Sequence, residues 1–405
     1  MKVLLIHPRN WGQFEYLAAF LARNPVIQVV FLTHNAELNR IPGVKVRLYQ
    51  EAEMSREGLE TFEKFPHLGE AQAVYQALKI MRDHESYYPD VIYGHSGWGG
   101  VLFLKDLFPK AKLIGYFEWF FDASVYDALG WRNHMDFNDY RSILRLQNME
   151  TLKQLDACDV RHVPTHWQKS VFPAQYRDTM TVIHEGIDTR FYAPISSREA
   201  ELAKWNLGLS EKDEIVTYAS RGFEPMRCFP VFMDAIRLLL KRRPRCHVIL
   251  AGREKPAYGP KPNRNQSWKQ LEEEKGGFDA SRVHFFDWLP RERFLSLLRI
   301  SDVHVYLTIP YVLSWSMLQA MSTGCCLVAS ASPPVEEVIE DGINGLLTDY
   351  QSPEKIADRI EEALSDSSLR ERLRLAARDV ILDRYPLEKC LQEQSYMLFG
   401  HRFSN

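Results

Sequence analysis

Two arginines follow a strand-like run in a pattern suited to binding an anion. Arg221 comes just after the apolar run Ile215 to Ala219, and Arg227 follows six residues later. A guanidinium group is permanently charged and presents its N–H donors in a fork that matches phosphate oxygens. Two such groups could bind an anionic ligand through charge-assisted hydrogen bonds. The spacing alone is equally consistent with two ordinary solvent-exposed arginines that bind no ligand.

A helix start further along the chain predicts a second group of anion-binding donors. The segment Pro310 to Met321 contains Ser314, a favourable N-cap residue, and the helix is expected to run to Ser322 and to end at Gly324. Unsatisfied N–H groups and the positive end of the helix dipole would favour an anion there. The alternative is an amphipathic core helix that binds no ligand.

The first half of the chain carries two polar residues that follow predicted strands. His95 lies after the strand Val91 to Tyr93 in a glycine-rich loop, and Glu118 lies after the strand Lys112 to Tyr116. In a cleft, a carboxylate could orient hydroxyl groups, or it could take a proton if burial raised its pKa. We expect positioning. The alternatives are a structural histidine and a buried, hydrogen-bonded glutamate.

The elements that must position these residues alternate between short β-branched strands and amphipathic helices. This alternation predicts an α/β fold with parallel sheets. It restarts after a Pro-containing connector, so we expect two doubly wound, Rossmann-like domains in series. The predicted boundaries are residues 1–188 for the first domain, residues 189–383 for the second, and a final helix within residues 384–405 that packs back towards the first domain.

Composition restricts the class of protein. The 405 residues carry a formal net charge of -3, with no polybasic run of the kind that nucleic-acid binding requires. The longest apolar stretches are strand-length, so no transmembrane helix is expected, although peripheral membrane contact is left open. Six cysteines lack metal-type spacing, which predicts reduced thiols in a cytoplasmic protein without a metal site. The first loop lacks the GxGxxG pattern of nicotinamide-binding enzymes.

Three segments resemble family 4 of the GT-B glycosyltransferases: Val182 to Asp188, the turn Ser220-Arg221, and the block Tyr306 to Leu347. The resemblance implies two Rossmann-like domains facing across a cleft and a transfer that retains anomeric configuration. It also implies that the second domain holds a nucleotide-diphosphate-sugar, that the first domain holds the acceptor, and that neither a metal nor another cofactor is needed.

The resemblance also assigns roles to individual residues. The family carries Arg and Lys at the places of Arg221 and Arg227, where they grip the donor diphosphate. The other donor-binding residues implied in this way are Gly12 in the first loop, Trp288 and Leu289 in the base-binding loop, and Leu313, Ser314, Trp315 and Ser316 around the helix start. His95 would face the acceptor, and Glu118 stands where many members have a histidine at the transferred sugar.

Aromatic residues flank the predicted acceptor residues. Trp119, Phe120 and Phe121 follow Glu118 directly, and Trp98 lies in the loop of the preceding strand. Their apolar faces suit sugars and lipid-linked carriers, so Trp98 and Trp119 are predicted acceptor contacts. Core filling is the alternative, and it is at least as favourable for the two phenylalanines.

Two positions depart from the family pattern. The family places two glutamates in the segment Pro310 to Met321, whereas this chain has Tyr311 and Gln319 there. Gln319 can still accept a hydrogen bond from a ribose, but without charge. Tyr311 cannot replace a carboxylate, so the contacts that the first glutamate makes with the sugar would have to come from elsewhere or from backbone groups of Leu313 and Ser314.

The sequence therefore predicts a glycosyltransferase that moves a hexose or related sugar to a glycan, lipid-linked or protein acceptor. Bacterial surface-polysaccharide or glycoprotein assembly is the expected setting. The departures at Tyr311 and Gln319 leave open a second prediction, a GT-B protein that binds nucleotide-sugars with weak or no turnover. A sugar phosphorylase of the same fold is a third alternative with less support. Donor, acceptor, linkage and oligomeric state are beyond the sequence.

Overall fold

The chain forms two compact units in a computed structural model. The structure describes residues 1–50, 66–123, 137–195, 197–262 and 266–402. Unit 1 comprises residues 1–186 together with 388–405, and unit 2 comprises residues 187–387. The final helix, which begins near the predicted boundary at residue 384, thus belongs to the first unit.

Unit 1 is built on a seven-stranded parallel sheet with the strand order β3-β2-β1-β4-β5-β6-β7. The strands are β1 (Lys2–Ile6), β2 (Gln28–Thr33), β3 (Val44–Leu48), β4 (Val91–His95), β5 (Lys112–Tyr116), β6 (Val160–Val163) and β7 (Met180–Val182). The central strands are apolar along their length because helices cover both faces of the sheet.

The helices of unit 1 connect successive parallel strands. They are α1 (Glu15–Ala22), α2 (Pro66–Glu85), α3 (Leu104–Leu107), α4 (Phe137–Ala157), α5 (His166–Ser170) and α6 (Ala174–Arg177). Side chains from α2 and α4 pack with the strands in one buried cluster that includes Leu4, Leu78, Leu113 and Leu155. This cluster is the core of unit 1.

Unit 2 repeats the same architecture with a six-stranded parallel sheet in the order β10-β9-β8-β11-β12-β13. The strands are β8 (Glu214–Gly222), β9 (Cys246–Arg253), β10 (Val283–Phe286), β11 (Val303–Tyr306), β12 (Leu327–Ser330) and β13 (Leu346–Thr348). Two parallel sheets flanked by helices confirm the predicted pair of Rossmann-like, doubly wound domains.

Helices again cover the sheet of unit 2. They are α7 (Arg198–Ala203), α8 (Phe229–Arg242), α9 (Trp268–Lys275), α10 (Arg291–Ile300), α11 (Trp315–Thr323), α12 (Pro333–Glu336), α13 (Pro353–Ser365) and α14 (Ser367–Arg384). The strands β12 and β13 and the short helices α5, α6, α7 and α12 are not predicted from the sequence. The predicted strands Val91 to Tyr93, Lys112 to Tyr116 and Ile215 to Ala219 agree with β4, β5 and β8 to within three residues.

In each unit the strand order reverses direction beside a central pair of strands. The pair is β1 and β4 in unit 1, and β8 and β11 in unit 2. Ligands of open α/β sheets bind outside the carboxyl ends of the strands at such a switch point. His95 ends β4, and Arg221 lies near the end of β8, so the fold brings the predicted residues to these edges.

The last helix, α15 (Leu387–Phe399), is fastened to the sheet of unit 1 by a lysine. Lys112 opens β5, and its Nζ donates to the carbonyl oxygens of Met397 at 2.6 Å and Leu398 at 3.2 Å. These carbonyls belong to the last turn of α15, where a cation is favoured by unsatisfied acceptors and by the helix dipole. No helix in the described ranges has the length and apolar content to cross a membrane.

Replacing Lys112 with methionine tests this attachment. We expect Lys112→Met to lower the stability of unit 1 by about 1–2 kcal/mol, because two half-buried carbonyls lose a charged donor. Chemical denaturation followed by tryptophan fluorescence measures the change. Lys110→Met, at an exposed position two residues earlier, is the control and should remain near wild type. Equal effects of the two substitutions would contradict the proposed attachment.

Candidate functional site

A pocket of about 350 Å³ opens at the carboxyl edge of the sheet of unit 2. Its size is within the range of small-molecule sites. The predicted donor residues that line it are Arg221, Arg227, Trp288, Leu289, Ser314, Trp315, Ser316 and Gln319. Arg291 lines it as well, whereas none of the described lining residues is an aspartate or a glutamate. The pocket is therefore electropositive and suited to an anionic ligand.

Arg227 is the most buried charge of the pocket, with only 8% of its surface exposed. Its Nη1 donates to the hydroxyl oxygens of Tyr306 at 3.1 Å and Thr308 at 2.7 Å. Both partners are neutral, and within the described residues the guanidinium forms no ion pair with a carboxylate. A buried charge without a counter-charge is costly, so an anion in the pocket would complete this arrangement.

The backbone around Arg227 explains why the side chain is buried. A short 3-10 turn, Pro225–Arg227, ends at Cys228, whose φ of 53° lies in the left-handed region that is uncommon for a residue other than glycine. Cys228 turns the chain from the 3-10 turn into α8. Arg227 is thereby directed into the unit, where the hydroxyl of Tyr218 donates to its carbonyl oxygen at 2.7 Å.

Arg221 has a different environment from Arg227. It lies in the irregular end of β8, where the register with β9 shifts between Ala219 and Gly222. Such irregularities redirect side chains next to functional sites. Arg221 is exposed, and its Cζ lies 5.4 Å from the ring centroid of Tyr258. The aromatic ring holds the guanidinium at the edge of the pocket without neutralising its charge.

Glu224 fixes the loop that carries Tyr258. One oxygen of this fully buried carboxylate accepts hydrogen bonds from the backbone N–H groups of Ala257, Tyr258 and Gly259 at 3.1, 2.9 and 2.6 Å. Charge-assisted bonds of this kind are stronger than neutral ones. Glu224 therefore determines where the Tyr258 ring lies relative to Arg221.

The start of α11 confirms the predicted caps. Ser314 is the N-cap residue, its Oγ accepts from the N–H of Ser316 at 3.3 Å, and Gly324 ends the helix with φ of 79°. The N–H of Ser314 itself donates to the hydroxyl of Tyr306 at 3.0 Å. That amide, one of the alternatives predicted to contact the sugar, thus has a partner within the protein.

Two predicted donor residues of unit 2 lie outside the pocket lining, and the third, Gly12, belongs to unit 1. Leu313 is buried in the core of unit 2 beside Met317 and Leu318. The ring of Tyr311 packs against that of Tyr258 in a tilted arrangement, with ring centroids 5.6 Å apart. Both side chains therefore support the walls of the pocket. Gln319, the second departure from the family pattern, is half-buried and does line it.

The pocket lining also contains the aromatic Trp288 and the apolar Leu289. Trp288 is 53% exposed, and the Cζ of Arg253 lies 5.6 Å from its ring centroid. Leu289, beside it, packs against the apolar cluster formed by α7, α10 and neighbouring strands. Arg291 reaches Asp188 at 3.6 Å, so its charge is partly compensated. A flat, apolar surface next to a cationic region suits a nucleoside attached to phosphate.

A second group of predicted residues meets at the carboxyl edge of unit 1. The Nε2 of His95 lies 3.5 Å from a carboxylate oxygen of Glu118. The N–H of Gly97 donates to the Nδ1 of His95 at 3.0 Å, so a neutral His95 carries its proton on Nε2. The side-chain amide of Gln13 donates to the carboxylate of Glu118 at 3.4 Å. The side-chain amide of Gln168 donates to the backbone carbonyl oxygen of Glu118 at 2.7 Å. The two predicted residues are thus held as a pair.

Gly12 and Trp98 lie close to this pair. Gly12 has φ of 50°, and a Cβ at this position would lie 2.9 Å from the Nε2 of His7, so only glycine fits. Burial lowers the pKa of His7 to about 3, with further contributions from His95 and Arg9, and His7 is therefore neutral at physiological pH. The guanidinium of Arg9 lies over the Trp98 ring at 4.5 Å.

Trp119 contributes to the core of unit 1 more than to this edge. Its half-buried ring packs against the main apolar cluster, and so does that of Phe120. Trp119 and Phe121 also pack around Leu144 of α4. The core-filling alternative thus describes the packing of all three residues, and acceptor contact by Trp119 stays a prediction.

Sequence reasoning missed several residues of the pocket in unit 2. They are Tyr192, Tyr258, Arg291, Phe294 and Tyr306. Tyr306 ends β11, and Tyr258 follows β9, so the rule that ligands bind at carboxyl strand ends would have indicated both. Arg291 and Phe294 belong to the first turns of α10, and no local signal marks them as pocket residues.

The two units, each a Rossmann-like domain with a parallel sheet, have the architecture of the GT-B class of proteins. Residues 25–192 match the profile of the "Glycosyl transferase family 4 group", and residues 199–380 match that of "Glycosyl transferases group 1". The two matches cover most of both units. The chain belongs to the family 4 glycosyltransferases of the GT-B fold.

Individual relatives resemble only part of the chain. A D-inositol 3-phosphate glycosyltransferase of Corynebacterium efficiens is 26% identical over 199 residues, which are 48% of this chain and 45% of that protein. The spore coat protein SA of Bacillus subtilis is 27% identical over 215 residues, 50% of this chain and 54% of that protein. The chain thus spans about half the length of these relatives.

Solved structures resemble the chain over nearly its full length. Anabaena HepE, crystallised with UDP-glucose, aligns with a TM-score of 0.71 at 15% identity, covering 99% of this chain and 100% of HepE. The sucrose-phosphate synthase of Thermosynechococcus elongatus aligns with a TM-score of 0.73 at 16% identity, covering 98% of each chain. At these identities the likeness concerns the fold.

Removing the carboxylate of Glu224 tests how the pocket is built. We expect Glu224→Ala to destabilise unit 2 by at least about 3 kcal/mol, because three backbone N–H groups lose a charged acceptor. Thermal unfolding measures this loss. Glu254→Ala, at an exposed glutamate whose partner is Lys269, is the control and should change stability by less than about 1 kcal/mol. A Glu224→Ala variant as stable as the control would show that the three bonds do not hold the loop.

Proposed function

We propose that this protein transfers a sugar from a nucleotide-diphosphate-sugar to an acceptor hydroxyl, with retention of anomeric configuration. One observation carries the proposal: the pocket of unit 2 contains the buried guanidinium of Arg227, whose hydrogen-bond partners among the described residues are neutral. An anionic ligand is what this group requires, and a diphosphate beside an aromatic surface has the charge and the shape that fit.

The donor roles follow from the lining of the pocket. Arg221 and Arg227 bind the diphosphate and stabilise the charge that develops as it leaves, a role that a metal ion fills in other transferases. Gln319 accepts a hydrogen bond from the ribose, and Trp288 and Leu289 contact the base. The structure of HepE with UDP-glucose supports a uridine nucleotide as the first donor to try.

The acceptor is proposed to bind at the carboxyl edge of unit 1. His95 and Glu118 would orient its hydroxyl groups, with Trp98 providing an apolar face. In the transfer step the bond between the anomeric carbon and the phosphate oxygen breaks, and the acceptor oxygen bonds to that carbon on the same face. The acceptor proton passes to the departing phosphate oxygen, so no protein base is required. Glycans, lipid-linked carriers and proteins are the acceptor classes proposed.

A binding protein without turnover is the second candidate. It is favoured by Tyr311, which stacks on Tyr258 outside the pocket lining and leaves no carboxylate where the family has its first glutamate. Gln319 likewise supplies a neutral group where the family has its second glutamate. Binding of a nucleotide-sugar without hydrolysis or transfer would identify this case.

Replacing Arg221 tests the donor site. We expect Arg221→Ala to lower transfer by about 10²–10³-fold, because a charged donor to the leaving group is lost. The exposed position predicts an unchanged melting temperature. The assay combines product formation with thermal shifts across UDP-, GDP- and dTDP-sugars, since a ligand of the folded state raises the melting temperature. Arg245→Ala, another exposed arginine of unit 2, is the control. Normal turnover by Arg221→Ala would remove Arg221 from the site.

Replacing Glu118 separates positioning from proton transfer. We expect Glu118→Gln to keep turnover within about tenfold of wild type, because glutamine retains a hydrogen-bonding oxygen and the leaving phosphate takes the proton. Glu118→Ala should lose more. General acid–base catalysis contributes about 10²–10⁴-fold, so a loss of several hundredfold in Glu118→Gln would contradict the positioning role. Turnover at saturating donor, with acceptor varied, gives both kcat and KM.

A further inference from the structure

Tyr306 connects the two anion-binding features of the unit 2 pocket. It is the last residue of β11, is 3% exposed, and is one of the residues that line the pocket. Its hydroxyl contacts both the guanidinium of Arg227 and the backbone at Ser314, the N-cap of α11. Tyr306 begins the block that resembles the family, but the resemblance assigns it no role, so its role is argued from its contacts alone.

The hydrogen bonds of the Tyr306 hydroxyl determine where its proton can go. The oxygen accepts from Nη1 of Arg227 at 3.1 Å and from the N–H of Ser314 at 3.0 Å. A guanidinium and a backbone amide are donors only, so both act on the lone pairs of the phenol. With both lone pairs engaged, the one remaining hydrogen-bonding group of the hydroxyl is its own O–H.

The proton of Tyr306 has no acceptor within the described part of the protein. The hydroxyl of Thr308, which also accepts a hydrogen bond from Arg227, donates its own proton to the carbonyl oxygen of Ile309 at 3.0 Å. No corresponding bond is found from Tyr306 to any described residue. Since Tyr306 lines the pocket, the remaining direction for its O–H is into the pocket, where a ligand oxygen can accept it.

The surroundings of Tyr306 favour a negatively charged ligand oxygen as the acceptor of its hydrogen bond. A hydroxyl that accepts from a cation is polarised and becomes a stronger donor. The pocket supplies Arg221 and Arg227 as cations, and its described lining contains no carboxylate. A phosphoryl oxygen, which carries negative charge and accepts several hydrogen bonds, satisfies these donors better than a neutral sugar hydroxyl.

We infer that Tyr306 donates a hydrogen bond from its hydroxyl to a phosphoryl oxygen of the bound ligand. The amide of Ser314 is engaged by Tyr306, so the phenol O–H takes over the donor position that this amide would otherwise present. Arg227 and Ser314 act as the groups that aim it. The identity of the ligand as a nucleoside diphosphate rests on the proposed function, whereas the phosphoryl contact requires only a bound phosphate group.

A matched pair of substitutions tests this contact. Tyr306→Phe removes the hydroxyl that is inferred to contact the ligand. Thr308→Val removes the other neutral hydroxyl that accepts a hydrogen bond from Nη1 of Arg227. Thr308 is fully buried and is not part of the pocket lining. Binding of inorganic pyrophosphate, UDP and uridine to the full chain is measured by titration calorimetry, with melting temperatures as a check of folding.

We expect Tyr306→Phe to weaken pyrophosphate and UDP by about tenfold, the order expected for a bond to a charged acceptor. Uridine, which lacks phosphate, should bind as to wild type. Thr308→Val should bind all three within about threefold of wild type. The inference is overturned if Tyr306→Phe leaves pyrophosphate binding unchanged, if uridine weakens equally, or if Thr308→Val has the same effect as Tyr306→Phe.

The wild-type titrations separate this inference from the proposed function. If the wild type binds pyrophosphate in a Tyr306-dependent way but binds no nucleotide-sugar, the phosphoryl contact stands and the proposed donor does not. If the wild type binds nucleotide-sugars and turns them over while Tyr306→Phe binds pyrophosphate normally, the function stands and the contact fails. A wild type that binds neither pyrophosphate nor UDP overturns the contact.

Discussion

The pocket of unit 2 depends on a buried guanidinium, that of Arg227, which pairs with no carboxylate in the part of the chain that the structure describes. Desolvating a cation is costly, and the hydroxyls of Tyr306 and Thr308 offset this cost only in part because they are neutral. Burial of the apolar core around β8 and β11 offsets the rest of this desolvation cost. The free protein thus holds Arg227 in an incompletely compensated state, and a bound anion would have a high affinity for it.

The same pocket is stabilised by backbone contacts that its ligand would never touch. Glu224 holds the loop of Tyr258 through three N–H groups, and Tyr258 in turn lies beside Arg221. Cys228 adopts a left-handed conformation that places Arg227 inside the unit. Preorganisation of this kind lets fixed dipoles and charges act on a leaving group without rearranging during the reaction.

Much of the fold could be predicted, because periodicity and caps are local properties. Ser314 and Gly324 gave both ends of α11, and apolar runs gave the central strands. The strands β12 and β13 were not predicted, since runs of three or four mostly buried residues are too short to show an alternation that distinguishes them from a core helix segment. Leu313 and Tyr311 show a related limit: their side-chain packing against the core and against Tyr258 could not be predicted locally, and their contact with a ligand stays a prediction.

By itself, the sequence determined the residue types and their order: two arginines after a strand, a helix with a serine cap, and a repeated alternation of strands and helices. Only the tertiary structure decided which groups meet. Arg227 and Tyr306 are 79 residues apart, and Glu224 reaches amides 33 to 35 residues away. Hydrogen bonds depend on distance and direction, and for residues so far apart both are set by how strands and loops are arranged in the folded unit.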